Sequence, residues 1–253
     1  MLATPSLSQL RACYPHARIT FLSFETNRDL LQRIDGIDHV LTIDSNSIPR
    51  FFRDSLGLLR HFRNIHYDIV FDFVFFSKFS TLLSGLTGAR IRAAFSLPTR
   101  WRTRVVTHSV SLNRDVNVAY SFCNLVSLVT DRPVAETLIP VKPIVTEHDR
   151  LTLCEKLPGA GKTIITVNVN AGKTFIERRW PPERFAQLVS RLAIADDQVV
   201  FCFTGTVQER EYVQRVIRET SCPQRCVNSA GILSIGELCA LLERSDVVIS
   251  NVL

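Results

Sequence analysis

The tetrapeptide Ala-Gly-Lys-Thr occurs twice between residues 160 and 175, at 160–163 and 171–174, and Gly-Lys-Thr closes many ATP and GTP sites. A phosphate-cradling P-loop needs G-x-x-x-x-G-K-[ST] between a strand and a helix, so that backbone N–H groups and the helix dipole face the anion. Neither copy has the first glycine: Lys156 stands five residues before Gly161, and Val167 five before Gly172. The first copy also precedes the strand-like run at 164–167, at the wrong end of a sheet. A P-loop ATPase is disfavoured on both counts. The second copy leaves the same run at its carboxyl end, where open α/β sheets bind ligands.

Charge gives a second chemical signal. The chain carries a formal net charge of +6, unevenly placed. From Phe73 to Arg114 there is no acidic residue, while Lys78, Arg90, Arg92, Arg100, Arg102, Arg104 and Arg114 are basic. A helix-like stretch before it adds Arg50, Arg53, Arg60 and Arg63 against Asp54. Such a field attracts nucleic acid, an anionic membrane surface or a phosphorylated substrate; the plain alternative is a solvated basic face with no partner. Nucleic acid is the weakest option, because no recognisable nucleic-acid module accompanies the charge. Seven scattered cysteines fit reduced thiols in a cytoplasm better than a disulfide framework. Cys222 and Cys226 lack a nearby His or second Cys pair, so structural thiols are expected and no metal.

The elements that must position these groups alternate. Strand-like runs are RITFLSF, HVLTID, YDIVFDFV, ARIRAAF, TIITVNVN, QVVFCFTG and DVVIS, most of them nearly continuous apolar blocks of the kind buried on both faces. A helix after Pro181-Pro182 places Phe185, Leu188, Val189 and Leu192 on one stripe. A second opens with Thr206 and Glu209 at capping-box spacing and buries Val213, Val216 and Ile217. A third opens with Ser234 and Glu237 and buries Leu238, Leu241 and Leu242. This βαβα order predicts parallel sheets covered by helices. At 253 residues with 46% apolar content, the chain is long enough for two ordinary domains. The prolines and the Pro158-Gly159-Ala160-Gly161 turn read as a connector. The expected division is 1–142, a linker at 143–162, and 163–253. No signal-peptide pattern opens the sequence, and its most apolar segment, IVFDFVFF, is too short to cross a bilayer.

The segments LATPSLSQLRACYPHARITFL, YDIVFDFVFFSKFSTLLSGLTGARIRAAF, VNVNAGKTFIERRWPPERFAQL, VVFCFTGTVQERE and SAGILSIGELCALLERSDVVISN, in this order, resemble glycosyltransferase family 9, the bacterial lipopolysaccharide heptosyltransferases. The Arg-Arg-Trp-Pro-Pro-x-x-Phe segment followed by the Gly-x-x-x-Glu turn is the most specific part. The resemblance implies a GT-B architecture of two Rossmann-like domains with parallel sheets. It also implies inverting transfer of a heptose from ADP-heptose to the phosphorylated inner core of lipopolysaccharide, without a cofactor. The N-terminal domain would take the acceptor and the C-terminal one the nucleotide sugar, in the cytoplasm and peripheral to the inner membrane.

Departure of a nucleoside diphosphate builds negative charge that cations and N–H groups must offset. By resemblance that cation is Arg178 or Arg179, with Asn170, Gly172 and Lys173 close to the same strand end and Glu209 as a nucleotide-contacting acid. The plain alternatives are surface arginines beside a packing anchor, Trp180, and a Glu209 that only caps its helix. Arg100, Arg102 and Arg104 would then form a surface that steers the anionic acceptor. Two departures stand against the matches. The family's Gly-Asp loop, carrying the expected general base, would lie upstream of Met1, and its Asp-x-Gly-Pro segment would follow Asn251-Val252-Leu253. The expectation is a chain truncated at both ends, its C-terminal domain incomplete, with slow or absent turnover. A non-catalytic remnant binding nucleotide sugar or anionic glycolipid is the alternative. Asp72 and Asp246, in strand contexts, are expected to be structural rather than substitute bases.

Overall fold

The computed structural model describes residues 2–96, 102–113, 115–157, 163–171, 177 and 179–251. The chain divides into two compact units, Met1–Pro143 and Ile144–Leu253.

The first unit runs α1 (Thr4–Cys13), β1 (Thr20–Phe24), α2 (Arg28–Leu31), β2 (His39–Ile43), α3 (Ile48–Asn64), β3 (Ile69–Asp72), α4 (Lys78–Leu86), β4 (Ile91–Phe95), α5 (Arg102–Val105), β5 (His108–Val110) and α6 (Val118–Thr130). Strands β1 and β2 pair in parallel, with Thr20 opposite His39, and β3-β4-β5 form a second parallel sheet. Helix α3 turns Leu58 and Phe62 inward to meet Ile43 of β2 and Leu83 of α4. Ala93 and Phe95 of β4 pack with Leu125 of α6, burying one face of the β3-β4-β5 sheet beneath that helix.

The second unit runs α7 (Glu147–Lys156), β6 (Ile164–Asn168), α8 (Pro182–Ala195), β7 (Val200–Phe203), α9 (Arg210–Arg218), β8 (Cys226–Asn228), α10 (Ile235–Arg244) and β9 (Val247–Ser250). Its four strands are all parallel, in the order β8-β7-β6-β9. Phe201 and Phe203 of β7, Val167 of β6, Val189 of α8 and Val213 and Val216 of α9 are fully enclosed in one cluster. Fully parallel strands need cover on both faces, which explains why their sequences read as unbroken apolar blocks.

The fold class is the expected α/β with parallel sheets, and every strand-like run became a strand. Strands β5 and β8 are additional. His-Ser-Val and Cys-Val-Asn are three residues each and carry no apolar run, so only the neighbouring strands recruit them. The segment read as a connector holds α7, whose N-terminus is closed by a reciprocal cap between Thr146 and Asp149. Leu153 and Leu157 of that segment pack with Ala240 and Leu241 of α10, which makes the helix part of the second unit's core. The Pro158-Gly159-Ala160-Gly161 turn lies outside the described residues.

Of the three helices anticipated in this unit, α8 and α9 bury the expected faces. The face of α10 is rotated: Ala240 and Leu241 are buried, whereas Leu242 is exposed. The rotation tucks Glu237 inward, where Oε2 accepts from Ser234 N–H at 2.7 Å and Oε1 accepts from Lys156 Nζ at 2.6 Å. Burial pushes the Glu237 carboxyl up, but the bonds from Lys156 and Ser234 outweigh it and hold the group below its ordinary value. Strand β9 pairs only with β6 among the described residues, and Val247 and Val248 are half exposed.

Candidate functional site

Strand β6 is the first of its sheet in sequence. The chain moves to one side of it for β7 and β8, then crosses to the other side for β9. The order therefore reverses between β6 and β9, and the crevice beyond the carboxyl ends at such a reversal is where doubly wound sheets take ligands.

Three strand ends are tied together there. Asn251, directly after β9, is buried; its Nδ2 donates to the carbonyls of Val169 and Asn170 at 2.8 and 3.1 Å, and its Oδ1 accepts from Trp180 N–H at 2.9 Å. Asn170, after β6, is 7% exposed and donates from Nδ2 to the carbonyl of Thr204, after β7, at 3.0 Å. Its Oδ1 is enclosed and has no hydrogen-bond partner among the described residues. Gly205 makes this closeness possible: a Cβ there would lie 2.7 Å from Asn170 Nδ2 and 3.3 Å from Glu209 Oε2. Two buried amides and one glycine thus fix the loops before any ligand arrives.

Glu209 sits on the other side of Gly205. Its Oε2 accepts from Thr206 N–H at 2.8 Å and from the Thr206 hydroxyl at 2.9 Å, completing the reciprocal cap that opens the short turn before α9. Its Oε1 lies 3.6 Å from Arg179 Nη2. The Arg179 guanidinium in turn covers the Tyr212 ring at 4.3 Å, and its Nε is enclosed with no hydrogen-bond partner among the described residues. Burial raises the pKa of the Tyr212 hydroxyl, with Arg179 acting in the opposite direction. Trp180 packs edge-on against Phe185 at 5.0 Å.

Of the residues expected at the nucleotide sugar, Asn170, Arg179 and Glu209 therefore gather around Gly205. Gly172, Lys173 and Arg178 lie outside the described residues. No site role was expected for Asn251, Gly205 or Tyr212: Gly205 opens the Gly-x-x-x-Glu turn two residues past β7 and Asn251 follows β9 directly, whereas Tyr212, within α9, carries no local signal.

The expected acceptor surface needs correction. Arg102 is not a surface charge: it is 2% exposed and pairs with buried Asp72, Nη2 to Oδ2, at 3.3 Å. It also donates to the carbonyls of Phe75 and Val74. Asp72 further accepts from the Ser80 and Thr81 hydroxyls and from Val74 N–H. Desolvation nonetheless raises its pKa above the ordinary carboxylate value. Asp72 stands one residue ahead of the acid-free run, so a count of that run alone hides the partner. Arg92 is also committed, donating to the carbonyls of Val105 and Ala89. Arg104 is exposed, and Arg100 lies outside the described residues.

All seven cysteines are free thiols, and burial pushes Cys202 up to about 11 and Cys226 up to about 12. Protonated thiols of this kind are packing groups rather than nucleophiles. Among the described residues no group of three or more His, Cys, Asp or Glu side chains could hold a metal ion. Asp246 accepts from Ile164 N–H at 2.8 Å and thereby locks the start of β6.

Comparison with known proteins agrees with this geometry. Among solved structures, the chain is similar to a glycosyl transferase family 9 protein from Veillonella parvula DSM 2008, at 21% identity and a TM-score of 0.84, covering 98% of this chain and 70% of that one. It is similar to E. coli ADP-heptose lps heptosyltransferase II at 19% identity and a TM-score of 0.75, covering 99% and 75%. It is also similar to E. coli heptosyltransferase WaaC with ADP at 13% identity and a TM-score of 0.71, covering 99% and 77%. These likenesses establish the α/β, parallel-sheet fold of the GT-B heptosyltransferase structures. No curated protein matches. The sequence model for glycosyltransferase family 9 (heptosyltransferase) spans residues 56–251, from within α3 through Asn251, the residue that ties the strand ends together. With most of its length inside that match, the chain belongs to glycosyltransferase family 9.

Proposed function

We propose that this glycosyltransferase moves a heptose from ADP-heptose to the phosphorylated inner core of lipopolysaccharide, with inversion at the anomeric carbon. The observation that carries the reading is the preorganised crevice of the second unit, where Asn170, Gly205 and Asn251 lock three parallel strand ends at the reversal of strand order. Heptosyltransferase structures of the same fold, one of them with ADP, support the choice of donor.

In such a transfer an acceptor hydroxyl attacks the anomeric carbon while the bond from that carbon to the diphosphate oxygen breaks. The electron pair leaves with ADP and the hydroxyl proton passes to a base. Negative charge grows on the diphosphate, and cations held in a partly desolvated site stabilise it most. Lys173 and Arg178 are the cations we assign to the diphosphate, because Arg179 is already engaged by Glu209 and Tyr212. No described carboxylate of the first unit's sheet is assigned as the base, since Asp72 is committed to Arg102. The acceptor is an anionic glycolipid, which places the protein in the cytoplasm at the inner membrane surface.

Calorimetric titration with ADP-heptose, ADP and ATP, with and without magnesium, tests the donor site. Binding of ADP and ADP-heptose without magnesium is expected; no binding of either, or a magnesium-dependent preference for ATP, would reject it. Release of ADP on addition of lipopolysaccharide acceptor tests transfer. Binding with no ADP release would leave a nucleotide-sugar-binding protein in place of an enzyme.

A further inference from the structure

The outward face of α3 carries apolar side chains that the fold leaves uncovered. The helix turns Phe51, Leu58 and Phe62 toward the core, yet Ile48, Phe52 and Leu56 are 75%, 63% and 53% exposed. They are spaced four apart, so they form one stripe along the helix. A single exposed apolar residue is ordinary, but an aligned stripe of three large ones is not.

The stripe is bordered by positive charge. Arg60 and Arg63 are exposed and have no acidic partner among the described residues. Arg50 and Arg53 pair at the surface with Asp44 and Asp54, while their side chains remain 64% and 74% exposed. The core-facing side of α3 is covered, meeting the neighbouring helix α4 through the Phe51–Phe79 ring contact at 5.0 Å. No described helix is long and apolar enough to cross a membrane. Large apolar side chains beside arginines on one exposed helix face match a helix lying in a headgroup layer, with the rings among acyl chains and the guanidinium groups on phosphates.

We infer that the α3 face of the first unit docks on an anionic phospholipid bilayer, with Phe52 and Leu56 inserting and Arg60 and Arg63 pairing with headgroup phosphates. The inference deepens the proposed function, from which it takes only the idea that the acceptor is embedded in a membrane. It also relocates the membrane contact. Buried Arg102 cannot serve it, whereas α3 supplies both the apolar and the cationic component that stable peripheral binding requires.

Flotation of the whole chain with vesicles of phosphatidylglycerol and phosphatidylcholine (about 3:7), against pure phosphatidylcholine, tests this without donor or acceptor. Wild type should float with the anionic vesicles only, and less so as salt rises. The double variant Phe52→Glu/Leu56→Glu should lose at least about tenfold in affinity even at low salt. Arg60→Gln/Arg63→Gln should lose about fivefold per arginine at low salt, with the gap closing at high salt. Both variants alter exposed positions, and unchanged thermal unfolding and ADP binding show that they are folded. The docking face is rejected if wild type ignores the anionic lipid, if Phe52→Glu/Leu56→Glu floats like wild type, or if wild type sediments as a dimer that this variant turns into a monomer. Vesicle binding with no ADP binding would reject the donor site and leave the docking face standing; the reverse result would do the opposite.

Discussion

Arg179 Nη2 lies 3.6 Å from Glu209 Oε1, and the other oxygen of the same carboxylate caps Thr206. One side chain thus holds a helix start and a guanidinium together at the mouth of the strand-end crevice. The two roles separate experimentally. Glu209→Gln keeps an acceptor for Thr206 and loses the charge opposite Arg179, whereas Glu209→Ala loses both. Loss of the cap should lower stability by about 1–2 kcal/mol in urea unfolding, and Glu209→Gln should lose less than half of that. Equal losses in the two variants would show that the ion pair, not the cap, dominates.

The cations at the donor site should divide by function. Arg178→Ala and Lys173→Ala should each weaken ADP binding about 10- to 100-fold, the range for removing a charge-assisted phosphate contact, with little change in unfolding. Arg179→Ala should instead lower the unfolding midpoint, because it uncovers the Tyr212 ring and leaves Glu209 without its counter-ion. Unfolding and titration on the same samples distinguish the cases. If Arg178→Ala binds ADP like wild type, the assignment of the diphosphate cation is wrong.

Asn251→Ala removes the donor to two carbonyls and the acceptor for Trp180 N–H in a buried place. Stranded groups of this kind should cost about 2–4 kcal/mol together. Gly205→Ala removes no polar group but acts sterically: its methyl would push Asn170 Nδ2 away from the Thr204 carbonyl it donates to. ADP affinity should fall in both variants, and a crystal structure of Gly205→Ala should show the Asn170 amide displaced. An unmoved Asn170 would contradict the steric reading.

The Asp72–Arg102 pair predicts a pH signature. Burial raises the folded-state pKa of Asp72 above its ordinary value near 3.8, so the folded chain holds the carboxyl proton more tightly than the unfolded one. Its contribution to stability is full below that ordinary value and is lost as pH rises through the folded value. Arg102→Met removes the guanidinium that opposes the rise, so the variant's deficit relative to wild type should widen as pH increases from about 4 to 8. Thermal unfolding across that range checks the sign. Asp72→Asn has no such escape, because a buried guanidinium cannot shed its charge; it should lose about 3–5 kcal/mol at neutral pH.

Seven strands were legible because parallel sheets buried on both faces demand unbroken apolar runs, and runs such as QVVFCFTG declare themselves locally. The caps at Thr206–Glu209 and Ser234–Glu237 were legible for the same reason: their partners lie three residues apart. Strand β8 and the rotated face of α10 were not legible, since both depend on what stands beside them. The Arg102 error has the same origin. Its partner Asp72 is thirty residues away, and no window of sequence links the two.

The sequence by itself determined the α/β class, the alternation of elements, the helix starts capped at Thr206 and Ser234 and the family resemblance, because these rest on side-chain type and short-range spacing. Only the tertiary structure decided that Asn170, Gly205 and Asn251 meet, that Arg179 belongs to Glu209, and that Arg102 is interior while Phe52 and Leu56 face out. Those outcomes depend on contacts between segments far apart in the chain, where burial and pairing choose among cations and apolar groups that look alike in one dimension.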